Sequence, residues 1–282
     1  MICDFTFSIF NFPEIENQKS RIKNLMNFCL LIPAYNEART IGQVVSEARK
    51  IISSVVVVDD GSQDATAQIA QDSGALVLKH QINSGKGAAL RTGFQYALDH
   101  GYDAVITMDS DGQHDVDDIP RFLESFEKKL PPLKKKIPPN PPLLKGGRFL
   151  LLPFTEGEKG RFESRTRPGI ILGSRMHNIS TMPAVRKFTN KLTSFVGSLL
   201  AHQELEDSQS GFRLISSDVL RAVKLETSGY EMESELLVKA SRSGFRITSV
   251  PIKTIYGQEV SRINPIVDTC RFFRLLFRSL RW

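Results

Sequence analysis

Apolar and polar positions fall into alternating blocks along this chain. Short apolar runs rich in β-branched residues lie near 28–33, 55–59, 75–79, 103–109 and 169–173, each ending in small, polar or acidic residues. Runs of that length and composition predict strands, and the segments between them predict helices near 38–50, 64–72, 86–99 and 117–129. Further on the pattern loosens, with helices expected near 184–202, 217–224 and 231–243 and a strand near 245–252. Strand and helix in alternation predict an α/β fold with an open, mainly parallel sheet flanked by helices. The run 103–108, with its β-branched residues, reads as a central strand of a parallel sheet.

Three segments break this rhythm. Residues 128–167 hold seven prolines, which exclude regular helix, and eleven basic against three acidic residues. That segment carries +8 while the whole chain carries +6, so the remainder is at −2 and the high pI belongs to the segment. A surface insertion at about 131–167 is expected, tolerated because lengthening a loop costs little. No aromatic interleaving or nucleic-acid module accompanies its charge, so no nucleic-acid partner is expected. Residues 1–25 form an N-terminal extension, with Phe5, Phe7, Ile9 and Phe10 available to pack on the domain; Met26, just before the first strand, is an expected natural start. Residues 266–282 repeat apolar positions at helical spacing (Ile266, Cys270, Phe273, Phe277, Leu280) beside a stripe of Arg271, Arg274, Arg278 and Arg281. Such a helix lies in a membrane interface, or packs on its own domain or a second subunit.

A chain of 282 residues with 41% apolar content buries a sizeable core. Cys3, Cys29 and Cys270 are far apart, which suggests neither a disulfide framework nor a zinc site. No apolar stretch reaches the ~20 residues needed to cross a bilayer.

Chemistry concentrates at the ends of the predicted strands, where ligands of open α/β sheets collect. Asp109 and Asp111 close the fourth strand, and on one face of a strand they share a hard cation such as Mg²⁺ or Mn²⁺, with Gln113 a third oxygen ligand. An acidic pair also ends strands as a solvated turn, so context decides. His114 reads as a turn or surface histidine, since these ions prefer oxygen. Gly85-Lys86-Gly87 opens a helix, whose N-terminus favours anions; the Walker spacing is absent, which argues against a P-loop kinase or ATPase.

The ordered set Ile32-Pro-Ala-Tyr-Asn-Glu37, Val55-Val-Val-Val-Asp-Asp-Gly-Ser62, Asn83-Ser-Gly-Lys-Gly-Ala88, Asp109-Ser-Asp111, Gly173-Ser-Arg175 and Asp207-Ser-Gln-Ser-Gly-Phe-Arg213 resembles the family 2 glycosyltransferases, most closely their dolichol-phosphate mannosyltransferase-like and bacterial polyprenyl-phosphate branch. The likeness covers roughly 27–130 and 168–265. It implies a GT-A (nucleotide-diphospho-sugar transferase) fold over 26–265, a nucleotide-sugar donor, a divalent metal and inversion at the sugar carbon. On that resemblance Pro33, Tyr35 and Glu37 contact the nucleoside, and Asp59 with the Val57 backbone recognises it. Lys86, Asp109 and Ser110 belong with the nucleotide. Arg175, Arg186 and Arg213 lie around the acceptor and leaving group, and Arg262 near the donor phosphates. Asp207 takes the family's catalytic-base position, and Asp111 the metal. A lipid phosphate is already largely anionic near pH 7, its second pKa being about 6, so Asp207 orients an arginine or the metal shell unless the acceptor is a hydroxyl.

The expected activity is transfer of a hexosyl group from a GDP-mannose or UDP-glucose type donor to a polyprenyl phosphate. A non-lipid acceptor, or a degenerate nucleotide-sugar-binding protein, are the alternatives. A processive synthase is disfavoured because the ending Arg278-Ser-Leu-Arg-Trp282 lacks the needed Gln, and a nucleotidyltransferase because its Gly-rich loop is missing. The chain is expected in the cytoplasm, peripheral on the cytoplasmic membrane face through its last helix, with a membrane-protein partner or a second copy.

Overall fold

The computed structural model describes residues 26–128, 167–176, 184–229, 231–253 and 255, without the side chains of 184–189, 191 and 192. The expected N-terminal extension, nearly all of the insertion, Arg262 and the C-terminal helix lie outside the described residues, as does the side chain of Arg186.

Seven strands form one sheet: β1 (Phe28–Ala34), β2 (Val55–Asp59), β3 (Leu76–Lys79), β4 (Ala104–Thr107), β5 (Ile170–Ser174), β6 (Arg213–Ser216) and β7 (Ile247–Pro251). Their order is β3-β2-β1-β4-β6-β5-β7. β3, β2, β1 and β4 run parallel, β6 is antiparallel to both β4 and β5, and β7 is parallel to β5. The helices are α1 (Ile41–Ala48), α2 (Thr66–Asp72), α3 (Lys86–Asp99), α4 (Ile119–Glu127), α5 (Ala184–Ala201), α6 (Ser217–Ala222) and α7 (Glu231–Arg242).

The sheet is covered on both faces. Along β1, Phe28, Leu30, Ile32 and Ala34 enter a core shared with α1, α2 and α4, while Cys29 and Leu31 enter a second core shared with α3, α6 and α7. The period-2 alternation thus sorts side chains between two apolar layers, which is why these strands read as unbroken apolar runs. Cys29 is a free thiol pushed up to about 12 by burial, against a weaker lowering by Ser54, and behaves as a small apolar side chain.

Two expectations need correction. No strand was foreseen at 213–216; β6 has four residues, starts on an arginine and runs directly into α6, so it shows neither length nor alternation. The fourth strand is shorter than 103–109: β4 ends at Thr107, and Asp109 and Asp111 sit beyond it, Asp111 in a turn. They do not share a strand face.

Pro33 lies inside β1. Leu31 still accepts the Met108 N–H (3.1 Å) on the β4 side, but β4 has left the ladder beyond Thr107. Alternate residues of a strand point their backbone groups to the same side, so the N–H that proline lacks would face the gap where β4 has departed. On the other side Ala34 is still paired with β2. The sheet opens between β1 and β4, where the strand order reverses, and this is where an open α/β sheet holds its ligand.

α3 packs closely on β1 at Gly93, where an added Cβ would lie 2.2 Å from Cδ1 of the fully buried Leu31. Gly93→Val is expected to destabilise the chain by about 2 kcal/mol through overpacking. A lower urea midpoint with an unchanged slope checks this.

Candidate active site

The loops after β1 and β2 are stitched together by backbone donors. Asp60 N–H donates to Ala34 O (2.8 Å), Asn36 N–H to Ser62 Oγ (2.9 Å), Gln63 N–H to Asn36 Oδ1 (2.9 Å) and Glu37 N–H to Thr66 Oγ1 (2.8 Å). Asn36 takes a left-handed φ of 54° to allow this, a conformation asparagine tolerates. Asp64 accepts from Ala38 and Thr66 and serves the loops as a turn residue, as its position before α2 predicts. Thr40, preceding α1, donates its hydroxyl to Ser110 O (2.8 Å), tying the loop after β4 to the same platform. Tyr35 and Glu37 are partly exposed on it, whereas Ser110 is buried.

Asp59 ends β2 fully buried. One oxygen accepts the Ser62 N–H (3.1 Å); the other has no hydrogen-bond donor among the described residues, with Lys79 Nζ at 3.9 Å. Buried acceptors are rarely left open, so this oxygen is chemically prepared for a ligand donor. Val57 is different: it pairs with Ile32 on one side and Val77 on the other, two residues short of the loop, and its side chain is in the core.

The entrance to α3 is held by Asp60, which sequence reasoning treated only as part of a turn. Its carboxylate accepts the amides of Ser84 (3.0 Å) and Gly85 (2.7 Å) and lies 2.6 Å from His80 Nδ1, while His80 Nε2 reaches Thr92 Oγ1 (2.9 Å). Gly87 lets the helix start abut another segment: an added Cβ would be 2.7 Å from Ser228 C and O. Ser228 O also accepts the Ala88 N–H. The helix start therefore leans on protein backbone.

Lys86 does not project as a free phosphate hook. Its ammonium lies 2.6 Å from Asp109 Oδ1 and 2.9 Å from Glu233 Oε1. Glu233 continues to Arg213 (3.4 Å), and Asp109 Oδ2 to His114 Nε2 (3.4 Å). Burial favours the neutral form of Lys86, but Asp109 and Glu233 outweigh it and raise its pKa. Burial likewise opposes ionisation of Asp109, yet Lys86 and then His114 hold its carboxyl well below the usual carboxylate range. His114 is buried against Phe212, not on the surface as expected. Gly211 permits the close approach of the following loop, since an added Cβ would fall 2.4 Å from Asp109 Oδ2.

Asp111 is partly exposed, and one of its oxygens accepts the Gln113 N–H (2.9 Å). Among the described residues no group of three His, Cys, Asp or Glu could hold a metal ion. Two carboxylates and an amide are nonetheless hard oxygen donors of the type Mg²⁺ or Mn²⁺ takes with few protein ligands, the rest being water and phosphate. The Lys86 ammonium already puts positive charge against Asp109. The donor set fits such an ion.

Arg175, just past β5, grips Asp207: Nε to Oδ2 is 2.7 Å, Nη2 to Oδ1 is 2.9 Å, and the Arg175 N–H adds 3.2 Å. Asp207 is fully buried and both its oxygens are engaged. Arg213 is corrected from a phosphate contact to an internal clamp. It is 1% exposed and donates to Ser208 O, Ser210 O and Glu233 O as well as to the Glu233 carboxylate. Glu233 was missed because acids at 231, 233 and 235 of α7 look like a solvated helix start.

Residues 29–131 match the family described as Glycosyl transferase family 2. An uncharacterized protein of Methanocaldococcus jannaschii is 30% identical over 94% of this chain and 97% of its own length. The UDP-N-acetylglucosamine–dolichyl-phosphate N-acetylglucosaminyltransferase of Methanococcus voltae is 29% identical over 89% and 95%. The undecaprenyl-phosphate mannosyltransferase of Micrococcus luteus is 28% identical over 80% and 83%. Among solved structures, glucosyl-3-phosphoglycerate synthase of Mycobacterium tuberculosis with Mn²⁺ and UDP-glucose superposes with a TM-score of 0.57 at 18% identity, over 94% of this chain and 81% of that one. The likeness is one of fold, and that fold is GT-A.

The 226–229 segment that supports α3 is itself held by Glu235. That buried carboxylate accepts from Thr227 Oγ1 (2.6 Å), Thr227 N–H (2.9 Å) and Glu226 N–H (3.0 Å), and lies 2.7 Å from Lys239 Nζ. Burial raises its pKa, but Lys239, then Thr227, lower it by more. A depressed carboxyl stabilises the fold fully above its unfolded value near 4.3, and that contribution is lost as pH falls through the lower folded value. Glu235→Gln should cost about 2 kcal/mol at pH 7, with the gap to the parent narrowing below about pH 4; chemical denaturation across pH measures it.

Proposed function

The chain belongs to glycosyl transferase family 2, and we propose that it moves a hexosyl group from a nucleoside-diphosphate sugar to a polyprenyl phosphate, inverting the sugar carbon. The names of the Methanococcus voltae and Micrococcus luteus relatives support a lipid-phosphate acceptor. The observation that carries the proposal in this chain is the bidentate Arg175–Asp207 pair. With both oxygens engaged, Asp207 has no lone carboxylate to spare as a general base, and a phosphate acceptor needs none. Arg175, with its Nε and Nη2 on Asp207 and its side chain partly exposed, brings guanidinium charge to the side where an anionic acceptor would approach.

On the donor side, the open oxygen of Asp59 accepts from a base or ribose donor, and Tyr35 and Glu37 flank it on the stitched loops. Asp111, with Asp109 and Gln113, would hold Mg²⁺ or Mn²⁺, and the bound ion supplies positive charge to the departing diphosphate. GDP-mannose and UDP-glucose types both suit these groups. Among the described residues no helix is long and apolar enough to cross a membrane. The membrane is met instead through the basic apolar segment 266–282, with a membrane protein or a second copy as partner.

Transfer of labelled sugar from a panel of GDP- and UDP-sugars to undecaprenyl or dolichyl phosphate, with Mn²⁺ or Mg²⁺, tests the proposal. Lipid-linked product is expected from one donor, falling on the order of a hundredfold in Asp111→Ala. Arg175→Lys is expected to raise the KM for lipid phosphate more than it lowers kcat. Transfer only to a soluble hydroxyl would sink the lipid assignment; inertness toward every donor would leave a degenerate binding protein.

A further inference from the structure

Lys86 poses a problem for the cation site next to it. Its ammonium sits 2.6 Å from Asp109 Oδ1, so the same carboxylate is asked to serve both a lysine and a divalent ion. An ammonium has three donors and a long flexible stem, and can part from one acceptor if another charged acceptor remains. Glu233 Oε1, at 2.9 Å, is that acceptor. Glu233 is not free to follow Asp109, because its main-chain oxygen and its second carboxylate oxygen are both engaged by the buried Arg213. One partner of Lys86 is therefore fixed from behind, and the other stands on the loop after β4.

We propose that Glu233 is a positioning residue that retains the Lys86 ammonium when Asp109 is given up to a divalent cation. This rests on the reading of Asp109 and Asp111 as cation ligands. Without Glu233, withdrawing Asp109 would strand a largely buried positive charge, which is the costly way to break an ion pair. The lysine would instead hold Asp109 and compete with the cation. Were Asp109 to hold a cation, the ammonium donor that Asp109 now takes would be available to diphosphate oxygens.

Titration of the full-length protein with Mn²⁺ alone, read by loss of the free-ion EPR signal, tests this without any donor or turnover. Glu233→Gln is expected to weaken Mn²⁺ binding about tenfold, the low end of what losing a supporting partner costs a metal site. Lys86→Met should bind Mn²⁺ at least as tightly as the parent, and adding Glu233→Gln to it should change affinity less than twofold. That cycle separates action through the lysine from the plain loss of a nearby negative charge, which would weaken binding in both backgrounds. Parent-like affinity in Glu233→Gln, or a tenfold loss that persists beside Lys86→Met, overturns the proposal. If Glu233→Gln does not fold, weaker binding in Lys86→Met overturns it alone. Should Asp111→Ala bind Mn²⁺ as the parent does, the cation reading itself fails and takes the proposal with it.

Discussion

The site depends on one geometric constraint, the parting of β1 and β4. β1 keeps its bonds to β2 as far as Ala34, while β4 stops at Thr107 and only the Met108 N–H still reaches back to Leu31. A backbone that leaves a ladder normally strands polar groups, each costly when buried. Pro33 has no N–H to strand on that side, so the sheet opens there at little cost. The candidate site lies along this gap: the Tyr35–Glu37 loop on one lip, the Asp109–Asp111 loop on the other, and Thr40 joining them through Ser110 O. On the far side of β4, antiparallel β6 brings the Asp207–Gly211 loop to Asp109, with Thr107 Oγ1 held by Gly211 O at 2.9 Å. An antiparallel strand in a parallel sheet is thus what brings the Asp207–Gly211 loop to the ends of the parallel strands.

The parts of this plan that local pattern encodes were legible in the chain. β1, β2 and β4 follow from apolar runs buried on both faces, and α3 from the glycines and lysine at its start. The loops that carry Asp59, Asp109 and Asp207 follow from motif order. What pattern does not encode is which charges meet. Arg213 and Glu233 are twenty residues apart, on β6 and α7, and Lys86 is farther still, so no spacing rule pairs them. Arg213 looked like a phosphate ligand because arginine usually is one near such a motif; only packing reveals that carbonyls consume its donors. The burial of His114 is likewise hidden from local pattern, since Phe212, which packs on it, stands at the entry to β6, a strand with no length or alternation to mark it.

The charge balance of the site bears on how a donor enters it. Among the described residues, Asp59, Asp60, Asp109, Asp111, Asp207 and Glu233 outnumber Lys79, Lys86, Arg175 and Arg213, and each of those four cations already faces an acid. A diphosphate brought alone into this half-buried surface would meet a negative field strengthened by low local polarisability. The pairs cannot simply open to receive it, because each partner left behind would be a desolvated charge. In the proposed reaction a diphosphate accompanied by a divalent ion would meet neither obstacle, since the ion would offset the added charge and would give Asp109 a replacement for the lysine. On the proposed function the acids would make nucleotide affinity conditional on the ion, while the internal ion pairs keep the charges of the site partnered within the fold.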